Sequence, residues 1–150
     1  MGQQLIKSAS KDKRFKINSL TENKLQRKKI LGILPKLNNS EAFKRSDVII
    51  DFTIPKCTLE VLNIAAKQKK RVIIGTTGFT LKEENTIKKI SKKIPILKAG
   101  NMSLGINLLM YLTEIASKSL GNNFLSKVFE AHHKFKKDHP SGTALSLIHI

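Results

Sequence analysis

The chain has 150 residues, 40% of them hydrophobic, which corresponds to one ordinary domain or to part of a larger protein. Its formal net charge of +17 indicates an acidic partner. However, the cations are nearly all lysine and are spread along the chain, which favours a compositional bias over a dedicated nucleic-acid surface. The single cysteine, Cys57, excludes a disulfide framework and a four-cysteine zinc site and favours a reducing, cytoplasmic compartment. The longest apolar runs are too short to span a membrane.

Short apolar runs alternate with helical patterns through the first two thirds of the chain. Residues 3–9 are typical of the end of a helix, and residues 15–20 are compatible with an early strand. Strands are then predicted at residues 48–52, 72–75 and 94–97, and helices at residues 58–69 and 81–93. This order predicts a doubly wound, Rossmann-like parallel α/β sheet. Such a fold opens with a strand and a glycine-rich turn that are absent here, so either the fold differs or its beginning is missing.

The pattern changes near residue 102. A long apolar helix is predicted over residues 104–120, with Gly121 as its stop, followed by a strand over residues 124–131 and a helix starting at Pro140 or Ser141. We therefore predict a dinucleotide-binding domain at residues 1–102 and the beginning of a second domain at residues 103–150.

Three loops follow the three strongest strand predictions, and ligands of open α/β sheets bind at these carboxyl ends. The loops are small and polar: Asp51-Phe52-Thr53, Gly75-Thr76-Thr77-Gly78 and Ala99-Gly100-Asn101-Met102. Each alone is ordinary turn chemistry. Three such loops at successive strand ends, however, favour a crevice that binds a cofactor. Glu22 lies twenty residues after Gly2, the spacing of an acid that holds a cofactor ribose, although a plain surface glutamate has the same appearance.

The segment EAHHKFKKDHPSGTAL, residues 130–145, concentrates the chemically active side chains. A turn would bring His132 and Lys136 into one cavity, where they suit general acid catalysis and carboxylate binding. A basic, solvated loop is the alternative, and a zinc site is disfavoured because no partner has zinc-ligand spacing. Ser141 is a good helix N-cap, so Gly142 and Thr143 would offer backbone N–H groups to an anion. An ordinary capped helix remains the other interpretation.

Four of these motifs together closely resemble the dihydrodipicolinate reductase family: VIIDFTIP, VIIGTTGF, AGNMSLGIN and EAHHKFKKDHPSGTAL. The resemblance extends from residue 1 to about residue 145. It implies a Rossmann-like cofactor domain followed by an α+β substrate and oligomerisation domain. It also implies a homotetrameric, cytoplasmic enzyme of lysine and diaminopimelate biosynthesis.

The resemblance also implies a reaction, hydride transfer from NADH or NADPH to a cyclic unsaturated dicarboxylate, and a role for individual residues. His132 corresponds to the catalytic histidine and Lys136 to the proton-donating lysine. The substrate would be held by His133, Gly142 and Thr143. The cofactor would be bound by Glu22, Gly75, Thr76, Thr77, Ala99, Gly100, Asn101 and Met102. No metal and no membrane are implied, and nucleic acid is not an expected partner.

The chain also departs from the family pattern. The first strand, most of the glycine-rich turn and the rest of the substrate domain are missing, so we expect a chain truncated at both ends. An inactive cofactor-fold fragment and a basic nucleic-acid-binding module therefore remain alternatives. Ile54 stands where some members have an arginine for the cofactor phosphate, but Lys24 could compensate, which leaves the choice between NADH and NADPH open.

Overall fold

A computed structural model describes residues 1–22, 24, 26–132, 134 and 139–150 of the chain. The chain divides into two compact units, Met1–Lys98 and Ala99–Ile150, which we name the N-terminal unit and the C-terminal unit. Within the described ranges, no helix combines the length and the apolar character that crossing a membrane requires.

The N-terminal unit is built on a three-stranded parallel sheet with the order β1-β2-β3. The strands are β1 (Val48–Asp51), β2 (Arg71–Ile74) and β3 (Ile96–Lys98). Val48 pairs with Arg71 and Val72 with Ile96, so the strands end at the same edge. Isoleucine and valine suit this pleated surface because β-branched side chains pack well on it. The α/β architecture and the three strands predicted from the sequence are thus confirmed.

The described residues of the N-terminal unit also form four helices: α1 (Gly2–Ala9), α2 (Ser40–Phe43), α3 (Pro55–Lys67) and α4 (Leu81–Ser91). Helix α3 begins three residues earlier than predicted because Pro55, with its fixed φ, is well suited to the first helical position. Helix α4 begins with a capping box, in which Thr80 and Glu83 satisfy each other's backbone N–H groups.

The hydrophobic core lies where α3 packs on the sheet. Leu62 and Ala65 of α3 and Ile74 of β2 are completely buried. The cluster extends to α2 and α4 through Ala42, Phe43, Ile87 and Ile90. Full burial of one such aliphatic side chain contributes about 1.5–3 kcal/mol, so this cluster fixes the sheet and the loops at its edge.

The C-terminal unit contains α5 (Leu104–Leu120), a 3-10 turn (Gly121–Asn123) and α6 (Gly142–Ile148). Ser103 caps α5, and Gly121 ends it with a φ of +65°, a conformation that glycine adopts without strain. Every residue of α5 is described and none is buried, so the unit has little core of its own. Helix α6 begins at Gly142, one residue later than predicted, and Ser141 is its N-cap, as predicted, with the hydroxyl accepting from the Ala144 N–H.

Two predicted strands are wrong. Within the part of the chain that the structure describes, residues 15–20 form no ladder, and Thr21 just beyond them makes an isolated parallel bridge to Lys36. Phe15 is 61% exposed, and the Asn18 side-chain amide donates to the Arg45 carbonyl. Residues 124–131 also form no strand: no described segment pairs with them, and Phe129 is 93% exposed. An apolar run becomes a strand only where a neighbour takes up its backbone hydrogen bonds.

Candidate functional site

In the N-terminal unit, a buried carboxylate joins the loops that follow β1 and β2. Asp51 ends β1 and is only 3% exposed. Its Oδ1 accepts a hydrogen bond from the Thr53 hydroxyl at 2.7 Å, and its Oδ2 accepts one from the Thr58 hydroxyl of α3. The Thr76 hydroxyl lies 3.5 Å from Oδ2 and accepts a hydrogen bond from the Thr53 backbone N–H at 2.9 Å. A buried carboxyl group needs hydrogen-bond partners, and those that the described residues provide are threonine hydroxyl groups.

Gly75 follows β2 at a point where a side chain has no room. Its N–H donates to the Asp51 carbonyl at 2.9 Å. A Cβ at this position would lie 2.1 Å from the Phe52 ring, far closer than van der Waals contact. Gly75 is therefore required by the packing of the preceding loop.

The predicted cofactor-binding residues of this unit differ in which of their groups are accessible to a ligand. Thr76 is 3% exposed and its hydroxyl is used within the protein, so only its backbone is available to a ligand. Thr77 is half-buried beside it. Glu22 is exposed, next to the bridge between Thr21 and Lys36, with its N–H bonded to the Lys36 carbonyl at 2.9 Å.

In the C-terminal unit, the predicted cofactor loop touches the predicted substrate-binding helix start. The Asn101 side-chain amide donates to the Thr143 hydroxyl at 3.0 Å, across 42 residues of sequence. A Cβ built on Gly100 would lie 4.0 Å from the Gly142 Cα, so the two backbones approach closely. The oxygen of the Asn101 amide accepts from the Ser103 N–H at 2.8 Å, which ties the loop to the start of α5. Ala99 is half-buried and Met102 is exposed in the same loop.

His132 lies beside a carboxylate that also holds the start of α6. Its Nε2 is 2.9 Å from Glu130 Oε2. The other carboxylate oxygen of Glu130 accepts a hydrogen bond from the Ser141 backbone N–H at 3.0 Å. Hydrogen bonds from the Ser141 hydroxyl and N–H, and then from His132, lower the pKa of Glu130 to about 2. Glu130 is therefore ionised at neutral pH and acts only as an acceptor.

The remaining sequence predictions for this segment cannot be placed. His133 and Lys136 lie outside the described residues. The His132 ring centroid is 6.4 Å from that of His139. Among the residues that are described, no three histidine, cysteine or acidic side chains are grouped closely enough to hold a metal ion.

Two acids, Asp51 and Glu130, lie at the centre of these contacts although neither was assigned an individual role from the sequence; Asp51 was named only as part of a polar strand-end loop. The sequence did contain a signal for each. Asp51 ends an apolar strand and is followed by Thr53, which makes a hydroxyl partner available. Glu130 precedes His132 by two residues, and side chains two apart lie on the same face of an extended chain.

Comparison with known proteins agrees with the resemblance seen in the motifs. The family models named dihydrodipicolinate reductase, N-terminus, and dihydrodipicolinate reductase, C-terminus, match residues 1–102 and 105–150. The 4-hydroxy-tetrahydrodipicolinate reductase of Pelagibacter ubique (strain HTCC1062) is 69% identical over 147 residues, covering 98% of this chain and 57% of that protein. The protein of the same name from Hahella chejuensis (strain KCTC 2396) is 48% identical over 101 residues, covering 67% of this chain and 38% of that protein.

This chain thus spans little more than half the length of the first of these relatives. The two family models nevertheless cover its sequence almost from end to end. Together with the parallel α/β sheet, they establish that the chain belongs to the dihydrodipicolinate reductase family.

Proposed function

We propose that this protein acts as a 4-hydroxy-tetrahydrodipicolinate reductase, transferring a hydride from NADH or NADPH to a cyclic unsaturated dicarboxylate. Membership of the family and relatives that carry this name support the proposal. The same resemblance leads us to place the reaction in lysine and diaminopimelate biosynthesis. We further infer a cytoplasmic protein that is a homotetramer at full length, with residues 1–102 as its dinucleotide-binding domain and residues 103–150 as the start of its substrate domain.

The observation that carries the proposal is the hydrogen bond from Asn101 to Thr143. A reductase must hold its hydride donor against its substrate, because transfer requires near contact between the reacting atoms. The first of these residues belongs to the predicted cofactor loop and the second to the predicted carboxylate-binding helix start. The hydrogen bond holds the predicted cofactor loop next to the predicted carboxylate-binding helix start, and this proximity supports the proposal.

The residues at the strand ends fit a dinucleotide. The Phe52 ring packs where a Gly75 side chain would lie, and the Asp51 network fixes the loops after β1 and β2 relative to each other. We assign cofactor binding to Glu22, Gly75, Thr76, Thr77, Ala99, Gly100, Asn101 and Met102. Because its hydroxyl is used internally, Thr76 would contribute through its backbone. The nicotinamide, when bound, supplies the hydride.

The chain's own side chains would supply the proton and hold the substrate. We assign His132 and Lys136 to proton donation, since an imidazolium and an ammonium group both deliver protons to developing negative charge. We assign His133, Gly142 and Thr143 to the substrate carboxylates. The first N–H groups of a helix have no partner inside it, so those of Gly142 and Thr143 would be available to a substrate carboxylate.

Oxidation of NADH and of NADPH in the presence of freshly generated substrate tests the proposal. We expect His132→Gln and Lys136→Ala each to lower turnover about 10²- to 10³-fold, the range typical of a lost general acid. Nucleotide binding, followed by fluorescence titration, should stay unchanged in both. His149→Gln, an exposed histidine at the end of α6, is the matched control. Turnover equal to that of the control would overturn the assigned roles, and failure to oxidise either nucleotide would overturn the function.

A further inference from the structure

We propose that Glu130 is a positioning residue that holds the His132 ring and the start of α6 at the same time. The inference rests on the proposed function, in which His132 donates a proton and the start of α6 binds a substrate carboxylate. It adds to that function the group that holds His132 and the start of α6 in a fixed position relative to each other.

The two oxygens of the Glu130 carboxylate are divided between two partners. Oε2 lies 2.9 Å from His132 Nε2, and Oε1 accepts from the Ser141 N–H at 3.0 Å. The first partner is two residues away and the second is eleven. A single rigid carboxylate therefore links the proposed acid to the cap of the helix that follows it.

This contact is better shielded than an ordinary surface ion pair. The side chains of His132 and Glu130 are 33% and 26% exposed. The corresponding values for Lys118 and Glu114 on α5 are 74% and 46%. Shielding strengthens hydrogen bonds to a charged acceptor, so the His132 ring is held more firmly than a solvated pair would hold it.

The contact determines which ring nitrogen of His132 carries its proton. The ionised carboxylate of Glu130 can only accept, so Nε2 must bear a hydrogen. In the imidazolium form both nitrogens bear one. Because the Nε2 hydrogen is held by Glu130, the proton that leaves in the reaction is the one on Nδ1. Its loss leaves a neutral ring protonated at Nε2, with no further change in Glu130.

Replacing Glu130 by glutamine should reverse this preference. The amide has one acceptor and one donor end, and the Ser141 N–H, as a backbone donor, requires the acceptor. The NH₂ end is then turned toward His132, whose Nε2 must become an acceptor. The variant keeps the contact with α6 and changes only the histidine tautomer.

Nitrogen NMR of the ¹⁵N-labelled chain at alkaline pH, where imidazoles are neutral, measures this tautomer directly. We expect the Nε2–H form of His132 in the unmodified chain and the Nδ1–H form in Glu130→Gln. Glu114→Gln, which removes a carboxylate from α5 in the same unit, should leave the His132 signal unchanged. A His132 that remains in the Nε2–H form in Glu130→Gln would overturn the proposal.

Kinetics provide the second readout. In Glu130→Gln we expect turnover to fall about 10- to 100-fold, with the KM for the nucleotide unchanged, because a misplaced proton removes part of the general-acid contribution. A fall no larger than in Glu114→Gln would overturn the positioning role. The tautomer does not depend on turnover, so if no substrate is reduced while the tautomer reverses, the proposed function has failed and the Glu130 contact stands.

Discussion

The two units each use a carboxylate to join two segments of chain, but in opposite surroundings. Asp51 in the N-terminal unit is 3% exposed and is held by threonine hydroxyl groups. The Glu130 side chain in the C-terminal unit is 26% exposed and is held by a backbone N–H and an imidazole ring. Neutral partners that do not titrate near neutral pH suit a fixed framework, whereas a partner that gains and loses a proton suits catalysis. Asp51 and Glu130 thus differ both in exposure and in the kind of partner. The buried Asp51 belongs to the framework, and the partly exposed Glu130 lies beside the residue proposed for proton donation.

The largest effect should follow from removing the buried acid. Asp51→Ala would remove the acceptor at the shorter of the two bonds made by the completely buried Thr58 hydroxyl, which keeps only the Ile54 carbonyl at 3.3 Å, and would also remove the 2.7 Å acceptor of the Thr53 hydroxyl. We expect the free energy of unfolding, measured by urea denaturation, to fall by about 2–3 kcal/mol. Asp47→Ala removes an exposed carboxylate four residues earlier and should change it by less than about 0.5 kcal/mol. Equal losses in the two variants would show that Asp51 does not organise the strand ends.

A somewhat smaller loss is expected at Gly75, next to the same network. The Cβ of Gly75→Ala would overlap the Phe52 ring, which must then move away from the strand end. Overpacking of this kind costs about 1–2 kcal/mol. The cost should vanish when the same change is made in a Phe52→Ala background, because the ring is then absent. An equal cost in both backgrounds would place the strain in the Gly75 backbone instead.

In the C-terminal unit, the bond between Asn101 and Thr143 can be measured by a double-mutant cycle. Thr143→Val removes the accepting hydroxyl, and Asn101→Asp removes the donor while keeping the oxygen that binds the Ser103 N–H. We expect a coupling energy of about 0.5–1.5 kcal/mol in urea denaturation, the value of one hydrogen bond. Additive effects would mean that the loop at residues 99–102 and α6 are not coupled in solution.

The sequence predicted the fold best where local pattern and burial agree. The runs at β1, β2 and β3 are apolar and β-branched, and each is followed by a helical period, so their order follows from the sequence alone. Residues 15–20 and 124–131 contain apolar side chains too, but a strand also needs a neighbour to accept its hydrogen bonds. That requirement is set by distant parts of the chain and is invisible in a local window.

The candidate site was predictable in its outline for the same reason. The strand-end loops and the Ser141 cap follow from local rules, and so did the choice of His132. The internal use of the Thr76 hydroxyl depends on Thr53, 23 residues away, and the Glu130 bridge depends on Ser141. Pairings of this kind arise from the folded chain and not from spacing. All the catalytic, cofactor-binding and substrate-binding assignments stay predictions, and His133 and Lys136 also lie outside the described residues.

The smallest effect should be the pH dependence of the Glu130 bridge, because this carboxylate is partly solvated. Its pKa is lowered from 4.5 to about 2 by hydrogen bonds from Ser141 and His132 to the charged form. As the pH falls, Glu130 is therefore protonated at a higher pH in the unfolded chain than in the folded chain. The stabilisation is complete above about pH 4.5 and is lost as the pH falls through about 2.

Amide hydrogen exchange at Ala144 and Leu145, in the first turn of α6, can follow this loss. Between pH 4.5 and 2, protection of these amides should decrease in the unmodified chain beyond the change seen in Glu130→Gln, which has no proton to gain at this position. The difference between the two chains removes the contribution of every other acid. Parallel protection curves would mean that Ser141 holds the start of α6 without Glu130, and the comparison of the two carboxylates would then rest on Asp51 alone.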